Sequence, residues 1–283
     1  MLTKHARLDL SQPRLMAIMN ATPDSFSDGG LLYKSGSINR EKVLARLELM
    51  VNEGADIIDI GGESTRPGAD PVSVQEELER VSPIVEWALQ TTDLAISVDT
   101  SSPEVITQVA AMGAHLINDV RALSRKGALK AAANTDLAIC LMHMQGSPTN
   151  MQNEPSYFQV VADVSQFLQE RINACLGAGI KPENICIDPG FGFGKMLKHN
   201  LALLHQLSEI GELGFPVLVG LSRKSMIGQL LKRELVDRLP ASLALALMSL
   251  ERGAKILRVH DIRATRDIID TFIAVNGAMT TTV

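Results

Sequence analysis

The chain has 283 residues, of which 46% are hydrophobic and 21% are charged, a composition typical of a globular protein. Its net charge is −5 without runs of like charge, which argues against a nucleic acid or a membrane surface as partner. The three cysteines lack disulfide or metal-ligand spacing and the N-terminus lacks the apolar core of a signal peptide, so we expect a cytoplasmic protein.

Eight short apolar segments predict β-strands, and segments with helical spacing of apolar residues lie between them. The strands are expected at residues 15–19, 56–62, 94–98, 115–120, 137–142, 185–187, 217–219 and 255–261. The clearest helices are expected at residues 41–52, 74–89, 104–112, 157–176 and 243–252. Apolar strands that alternate with helices form a parallel sheet covered by helices.

Eight such units favour a closed barrel over an open doubly wound sheet. The predicted fold class is therefore α/β, a single (β/α)8 TIM barrel over residues 1–283, and no linker divides it. Residues 1–14 form a short N-terminal extension, of which residues 6–10 are expected to plug or edge the bottom of the barrel.

A weak internal repeat supports this architecture. Gly54, Gly113 and Gly253 each end a helical pattern as a predicted left-handed cap, and each precedes an apolar strand. The fifth position after each glycine carries a polar side chain near the far end of the strand, and the three residues are Asp59, Asn118 and Arg258.

Active sites of such barrels lie at the carboxyl ends of the strands. Polar residues follow nearly every predicted strand, among them Asn20, Glu63, Ser64, Thr65, Arg66, Asp99, Asn118, His143, Asp188, Ser222, Arg223, Lys224, Arg258 and His260. A purely structural barrel would scatter such residues over both rims, so their convergence indicates a functional site.

The stretch 185–195, ICIDPGFGFGK, places Asp188 at the mouth of a buried strand beside two aromatic residues between glycines. It is neither a phosphate-binding P-loop, because Met196 follows Lys195, nor a dinucleotide fingerprint, because its glycines alternate. An acid beside flat apolar side chains suits a flat ring that forms hydrogen bonds.

Four residues could recognise such a ring: Asp99 and Asp188 accept hydrogen bonds, Asn118 donates and accepts, and Lys224 donates. The edge of a 2-amino-4-oxo pyrimidine presents the complementary mixture of donors and acceptor. The alternative is a structural ion pair between Asp188 and Lys224 in the mouth of the barrel.

A second group suits an anion. Arg258 and His260 lie two apart on one strand, so their side chains point the same way, and together they suit phosphate or pyrophosphate. Asn20 could also ligate Mg²⁺ together with water and phosphate oxygens. Asn20 opens a long rim loop whose Asp24 and Asp28 either approach the reacting centre or only shape turns, whereas His143 is interpreted as a packing residue.

The sequence pairs no nucleophile with a base, so substitution assisted by stabilisation of the leaving group is expected instead of a covalent acyl or thioester intermediate. Residues 241–250 are more apolar than a surface helix of a barrel requires. This pattern predicts either a dimer face or deeper burial under neighbouring helices.

The motifs together closely resemble the dihydropteroate synthase family of pterin-binding TIM barrels. They are NATPDSFSDGG, DIGGESTRPGA, ISVDTS, INDV, CLMHMQG, DPGFGFGK, GLSRKS and RVHD, in the order of the family and over nearly the whole chain. The resemblance implies a cytoplasmic homodimer of folate biosynthesis and a target of sulfonamides. It implies a transferase that joins 6-hydroxymethyl-7,8-dihydropterin diphosphate to p-aminobenzoate and releases pyrophosphate with Mg²⁺.

The resemblance also implies roles for particular residues. For the pterin and its diphosphate they are Asn20, Thr65, Asp99, Asn118, Met142, Asp188, Phe193, Gly220, Lys224, Arg258 and His260. For p-aminobenzoate they are Phe26, Thr65, Arg66, Pro67, Phe193, Ser222 and Lys224, and for Mg²⁺ Asn20. The implied catalytic residues are Asp99, Asp188, Lys224, Arg258 and His260. Ala21 and Ser102 depart from the family's usual valine and lysine, and neither is an implied ligand.

Two alternative functions stay open at this point. A methyltransferase that uses methyltetrahydrofolate and a corrinoid partner would share the pterin-facing acids and amide, but it needs no Arg-His pair for pyrophosphate. A catalytically silent pterin-binding paralogue would bind the same ligands without releasing pyrophosphate.

Overall fold

The computed structural model describes residues 8–22, 32–34, 37–64, 72–148 and 150–278. Within these ranges the strands are β1 (Arg14–Asn20), β2 (Tyr33–Lys34), β3 (Ser37–Ile38), β4 (Ile57–Gly61), β5 (Ala95–Asp99), β6 (Leu116–Asp119), β7 (Ala138–Met142), β8 (Ile185–Asp188), β9 (Val217–Val219) and β10 (Ala254–Val259). Eight of them close a parallel barrel in the order β1-β10-β9-β8-β7-β6-β5-β4, while β2 and β3 form a separate antiparallel pair. The eight predicted strands and the (β/α)8 barrel are confirmed.

Helices follow the barrel strands along the chain. In the described residues they are α1 (Arg40–Asn52), α2 (Val74–Thr91), α3 (Pro103–Met112), α4 (Ala128–Ala133), α5 (Val160–Gly177), α6 (Leu197–His205), α7 (Leu207–Gly211), α8 (Ser225–Leu231), α9 (Leu239–Glu251) and α10 (Ile262–Ala278), with 3-10 turns at Pro182–Asn184 and Leu235–Asp237. The first two begin at side-chain caps, because Asn39 accepts from the N–H of Lys42 and Ser73 from that of Glu76.

The repeat seen in the sequence has a structural counterpart. Gly54, Gly113 and Gly253 have φ values of 89°, 102° and 90°, the left-handed conformation that ends a helix before a strand begins. Each glycine turns the chain from the outer layer into the barrel, so the polar residue five positions later arrives near the carboxyl end of its strand.

The barrel interior is a small cluster separate from the larger core between strands and helices. Its buried members are Met16, Ile57, Leu116, Ala138, Cys140, Cys186, Leu218 and Ile256. Leu8 and Leu10 pack against this cluster, as the predicted plug requires, whereas Ala6 and Arg7 lie outside the described residues.

Ion pairs stabilise the barrel at the amino ends of its strands. Asp56 directly precedes β4 and accepts hydrogen bonds from Arg266 and from the N–H of Leu15, the latter at 2.7 Å. Arg14 approaches the same carboxylate at 3.3 Å. These contacts join the first and last parts of the barrel without contributing to the opposite rim.

Two predicted helix boundaries are wrong. The helix expected at residues 157–176 begins at Val160, because the Asp163 carboxylate accepts from the N–H groups of Phe158 and Gln159 and holds them before the first turn. Tyr157 instead donates its hydroxyl to the carbonyl oxygen of Gly194 at 2.6 Å. The helix expected at residues 243–252 begins four residues earlier, at Leu239, with a proline in its first turn.

Two further observations concern the cysteines and the helices. Cys140, Cys175 and Cys186 are buried free thiols, as predicted. Over the same described ranges, none of the helices combines the length and apolar character that crossing a bilayer requires.

Candidate active site at the carboxyl end of the barrel

A cavity of ≈ 660 Å³ opens where the barrel strands end. Its lining includes eight of the residues that the sequence predicts for the site: Asn20, Asp99, Phe193, Gly220, Ser222, Lys224, Arg258 and His260. Glu63, Ser64 and Arg223 add polar groups to the same wall. The predicted convergence of charged and polar groups on one rim therefore exists in three dimensions.

Three further predicted residues are buried at the strand ends and do not line this cavity. Asn118 pairs with Asp99 across β5 and β6, and Met142 pairs with Asp188 across β7 and β8. The remaining predicted residues lie outside the described residues; they are Asp24, Phe26, Asp28, Thr65, Arg66 and Pro67.

Arg258 is held between two carboxylates. Its Nε donates to Oδ2 of Asp59 at 2.6 Å, and its Nη2 donates to Oδ2 of Asp99 at 3.0 Å. Burial alone would lower the pKa of Arg258, but the two carboxylates raise it. Burial raises the pKa of Asp99, and the guanidinium opposes that shift. The guanidinium is thus charged and fixed in orientation at the edge of the cavity.

Asp59 is a site residue that the sequence analysis did not assign. Its side chain is wholly buried and also accepts from the Ser97 hydroxyl at 2.5 Å and from Nδ2 of Asn118 at 3.0 Å. The signal for it was present, because Asp59 occupies the same repeat position as Asn118 and Arg258. Asp59 therefore contacts the other two repeat positions directly.

Asp188 ends β8 and is held by the turn that follows. The N–H of Gly190 donates to Oδ1 of Asp188 at 2.7 Å, and the φ of Gly190 is 69°. A Cβ at Gly190 would lie 1.9 Å from the carbonyl oxygen of His143, so only glycine allows this close approach. Burial raises the pKa of Asp188, while this hydrogen bond and the positive charge of Lys224 oppose the shift.

Lys195 stabilises the same turn through its side chain, a role that the sequence did not reveal. Its Nζ is buried and donates to the carbonyl oxygens of Gly190 at 2.9 Å and Phe193 at 3.0 Å. The third contact is to Nδ1 of His143 at 2.8 Å. The carbonyl oxygen of His143 is a fourth neighbour at 3.4 Å, so each of the three protons of an ammonium at this position has an acceptor. Burial lowers the pKa of Lys195 to about 7.

His143 is therefore more than the packing residue predicted from sequence. Its ring does pack, edge-on against Phe167 with centroids 4.9 Å apart, but it also accepts from Lys195. Burial, and then the charge of Lys195, lower the pKa of His143 to about 3. The imidazole is neutral, with Nδ1 as acceptor.

The burial of His143 predicts a loss of stability in acid. Its pKa is about 3 in the folded protein against an ordinary 6.5, so the unfolded chain takes up the proton first as pH falls below 6.5. When the pH is lowered from 7 to 5, the unfolding free energy of the parent protein is expected to fall. In the His143→Gln variant this fall is expected to be smaller by about 2 kcal/mol. Urea unfolding of both proteins at the two pH values measures this difference. Equal losses would show that His143 is accessible to protons in the folded state.

Lys224 lies over the ring of Phe193, with Nζ 4.4 Å from the ring centroid. Burial and then the positive charge of Arg258 lower the pKa of Lys224 to about 8. Asp188 opposes this shift through its charge, but among the ion pairs of the described residues none joins Asp188 to Lys224. Asp188 and Lys224 therefore do not form the structural ion pair that was the alternative.

His260 lies beside Ser222, whose hydroxyl is 3.1 Å from Nδ1 and accepts from the backbone N–H of His260 at 3.2 Å. Burial, followed by the charges of Arg258 and Arg223, lowers the pKa of His260 to about 3. His260 therefore offers a neutral ring to the cavity, while Arg258 supplies the charge. Both residues line the same wall, as their spacing predicted.

The model of a known family, described as pterin binding enzyme, matches residues 16–260 of the chain. The match includes seven of the barrel strands in full, β1 from its third residue onward, and the residues that line the cavity. The chain belongs to this pterin-binding enzyme family.

Three similar proteins are named dihydropteroate synthase. The dihydropteroate synthase of Escherichia coli strain K12 is 55% identical over 258 residues, which is 91% of this chain and 90% of the relative. The crystal structure of Yersinia pestis dihydropteroate synthase with a sulfonamide drug matches with a TM-score of 0.93 and 49% identity, over 98% of this chain and 99% of that one. Dihydropteroate synthase from Xanthomonas albilineans in complex with 7,8-dihydropteroate matches with a TM-score of 0.83 and 45% identity, over 95% of each chain.

In this pterin-binding enzyme a second network supports the rim next to the cavity. Arg121 donates to Oε2 of Glu63 at 3.1 Å and to the Ser101 hydroxyl at 2.9 Å. Asp119 in turn accepts from the hydroxyl of Ser101 and from the N–H groups of Arg121 and Leu123. Glu63 lies two residues beyond the end of β4 and lines the cavity, so this network holds its carboxylate in place at the rim.

Proposed function

We infer that the chain is a dihydropteroate synthase. It joins 6-hydroxymethyl-7,8-dihydropterin diphosphate to p-aminobenzoate, forms 7,8-dihydropteroate and releases pyrophosphate. One structural observation supports this inference independently of the relatives' names. Acids, an amide and cations suited to a pterin diphosphate lie at one rim of the barrel, and a single cavity is lined by Asp99, Lys224, Arg258 and His260. Sulfonamides, one of which is bound in the Yersinia pestis relative, are expected to act on this chain at the same site.

The pterin is assigned to the buried residues at the strand ends. Asp188 and Asp99 accept hydrogen bonds from its amino and ring N–H groups, Asn118 accepts another, and Lys224 donates to its carbonyl oxygen. Carboxylates without partners are costly to bury, and a ligand that brings donors removes that cost. Met142 and Phe193 are assigned to packing against the faces of the ring, while Gly220 leaves room beside it.

The diphosphate is assigned to Arg258, His260 and Asn20. Arg258 supplies a fixed positive charge where negative charge grows on the leaving group, and the neutral ring of His260 supplies a hydrogen bond. In the described residues no group of three or more His, Cys, Asp or Glu side chains could hold a metal. Asn20 would supply one oxygen ligand to a magnesium ion bound together with the diphosphate, and a single protein ligand fits the preference of this ion for phosphate and water oxygens. When bound, it would neutralise charge on the pyrophosphate.

The reaction breaks the bond between the pterin methylene carbon and the diphosphate oxygen, and the electron pair leaves with pyrophosphate. The aniline nitrogen of p-aminobenzoate forms the new bond to that carbon and then loses a proton. Asp99 and Asp188 stabilise the positive charge that spreads over the pterin while the bond breaks. Ser222, Lys224 and Phe193 are assigned to p-aminobenzoate together with Phe26, Thr65, Arg66 and Pro67, and either Asp24 or Asp28 receives the proton.

The experiment that tests this function is an assay of pyrophosphate release with the purified chain, Mg²⁺ and both substrates. Release is expected only when p-aminobenzoate and the pterin diphosphate are both present, and excess EDTA should abolish it. Binding of the pterin substrate without release would favour the silent paralogue. Release that continues in EDTA would exclude the role proposed for magnesium.

The proposal includes a homodimer in the cytoplasm, formed by one domain per chain. One face of α9 is buried through Leu245 and Leu250, while Leu247 and Met248 on the other side are 36% and 39% exposed. The apolar composition of this helix is thus explained by burial on one side only, and a second copy of the chain is proposed to cover the other. Light scattering decides this, since a monomeric mass at assay concentration would refute it. The buried free cysteines suit a reducing compartment.

A further inference from the structure

We propose that Asp59 is a positioning residue that orients both the pterin-facing amide of Asn118 and the diphosphate-facing guanidinium of Arg258 with a single carboxylate. This rests on the proposed function, because it concerns how that site recognises its ligand. Asp59 does not line the cavity, and its side chain is wholly buried. It therefore acts through the residues that it holds.

The carboxylate joins four strands at one point. Asp59 lies on β4, and its Oδ1 accepts from Ser97 on β5 at 2.5 Å. Its Oδ2 accepts from Asn118 on β6 at 3.0 Å and from Arg258 on β10 at 2.6 Å. Removal of Oδ2 would therefore take a hydrogen bond from both Asn118 and Arg258.

The contact with Asn118 decides which end of the amide faces the ligand. A carboxylate oxygen can only accept, so the NH₂ group of Asn118 must point towards Asp59 and the carbonyl oxygen must point away. That oxygen, Oδ1, is buried, and nothing in the described part of the chain donates to it. A buried acceptor without a donor is costly, so a ligand with an N–H group at this position is favoured over one with an acceptor there. Asp59 thereby helps to select the donor pattern of the pterin edge.

The contact with Arg258 fixes the plane of the guanidinium. Asp59 binds Nε and Asp99 binds Nη2, so the planar group is held at two of its corners. Within the described residues no acceptor is bound to Nη1, which leaves this nitrogen for an anion in the cavity. Without Asp59, Arg258 could rotate about its remaining contact with Asp99.

Asp59→Ala and Asp59→Asn separate positioning from charge. The asparagine keeps an oxygen for Asn118 and Arg258 and can turn its NH₂ group to the Ser97 hydroxyl, whereas alanine keeps neither. Binding of 6-hydroxymethylpterin, measured by calorimetry without p-aminobenzoate, is expected to weaken about tenfold or more in Asp59→Ala and to stay within about threefold in Asp59→Asn. The kcat of pyrophosphate release should follow the same order, because Arg258 is held in one variant and not in the other.

A double-mutant cycle distinguishes positioning from general loosening of the barrel. Once Asn118→Ala has removed the amide, adding Asp59→Ala should not weaken 6-hydroxymethylpterin binding further. A loss of equal size in both backgrounds would overturn the proposal. An Asp59→Asn variant as weak as Asp59→Ala would also overturn it, since charge and not orientation would then be what matters.

A substitute variant and a parallel assay complete the experiment. If Asp59→Ala fails to fold, Asp59→Ser replaces it, because a serine is too short to reach Asn118 and the same loss of binding is expected. Pyrophosphate release by the parent protein is measured in parallel. Its absence would refute the proposed function, whereas the binding cycle is read without turnover and refutes only the role of Asp59.

Discussion

Replacing Arg258 by methionine is expected to lower the kcat of pyrophosphate release by about 100- to 1000-fold. Arg258 is the cation held at the cavity wall by Asp59 at 2.6 Å and Asp99 at 3.0 Å, so the variant removes the charge that faces the leaving group. Removal also leaves two carboxylates close together in a buried environment, which is expected to cost about 3–5 kcal/mol of unfolding free energy. Steady-state kinetics and urea unfolding measure the two effects separately.

The control for this prediction is Arg266→Met at the opposite end of the barrel. The side chains of Arg266 and Arg258 are 19% and 20% exposed, and Arg266 pairs with Asp56. The control should therefore lose stability through a similar broken ion pair while its kcat stays at the parent value. A fall in kcat of equal size in both variants would show that the loss of activity follows from stability and not from the anion site.

Replacing Asp188 by asparagine is expected to lower kcat/KM for the pterin substrate by about 100-fold or more. The N–H of Gly190 binds Oδ1 of Asp188 at 2.7 Å and would retain the oxygen of the new amide. The NH₂ group would then face the ligand, where the proposal places N–H donors. The NH₂ group of the asparagine and an N–H group of the pterin would then face each other as two donors at a buried position. The negative charge of the Asp188 carboxylate would also be lost.

Asp119→Asn provides a matched control on the neighbouring part of the rim. Asp119, like Asp188, is a buried aspartate at a strand end, but its oxygens are occupied by the Ser101 hydroxyl and the N–H groups of Arg121 and Leu123. This variant should be less stable, because those donors lose a charged partner, and its kcat/KM for the pterin substrate should be that of the parent. The assignment of Asp188 to the pterin would be wrong if its variant lowered kcat/KM no more than the control does.

The outline of the site could be predicted from sequence because the fold determines where strand ends lie. Apolar runs and left-handed glycines give eight strands in order, and a closed barrel brings their carboxyl ends together. Asp99, Lys224 and Arg258 were therefore expected near one another, and they line one cavity. The boundary errors at Val160 and Leu239 arose because local features, and not periodicity, decide where these helices begin. They are the Asp163 carboxylate, which binds the N–H groups of Phe158 and Gln159, and the proline in the first turn after Leu239.

The partners of these residues could not be predicted, because hydrogen bonds depend on which side chains reach across the barrel. Arg258 binds acids that precede it by 199 and 159 positions, and neither distance leaves a pattern in the sequence. Asp59 was visible only as a repeat position. Lys195 was read as one end of a glycine-rich stretch and His143 as a packing residue, whereas they form a buried pair that fixes the turn after Asp188.

The sequence by itself determined the barrel, the rim that carries the site and the family, because periodicity and motif order are properties of the chain. Only the tertiary structure decided that Asp59 joins the amide and the guanidinium, and that Lys195 binds acceptors of His143, Gly190 and Phe193 beneath the site. The physical reason is burial. A polar group removed from water must find its partner among whatever neighbours the closed barrel supplies, and those neighbours are set by three-dimensional distance and not by position along the chain.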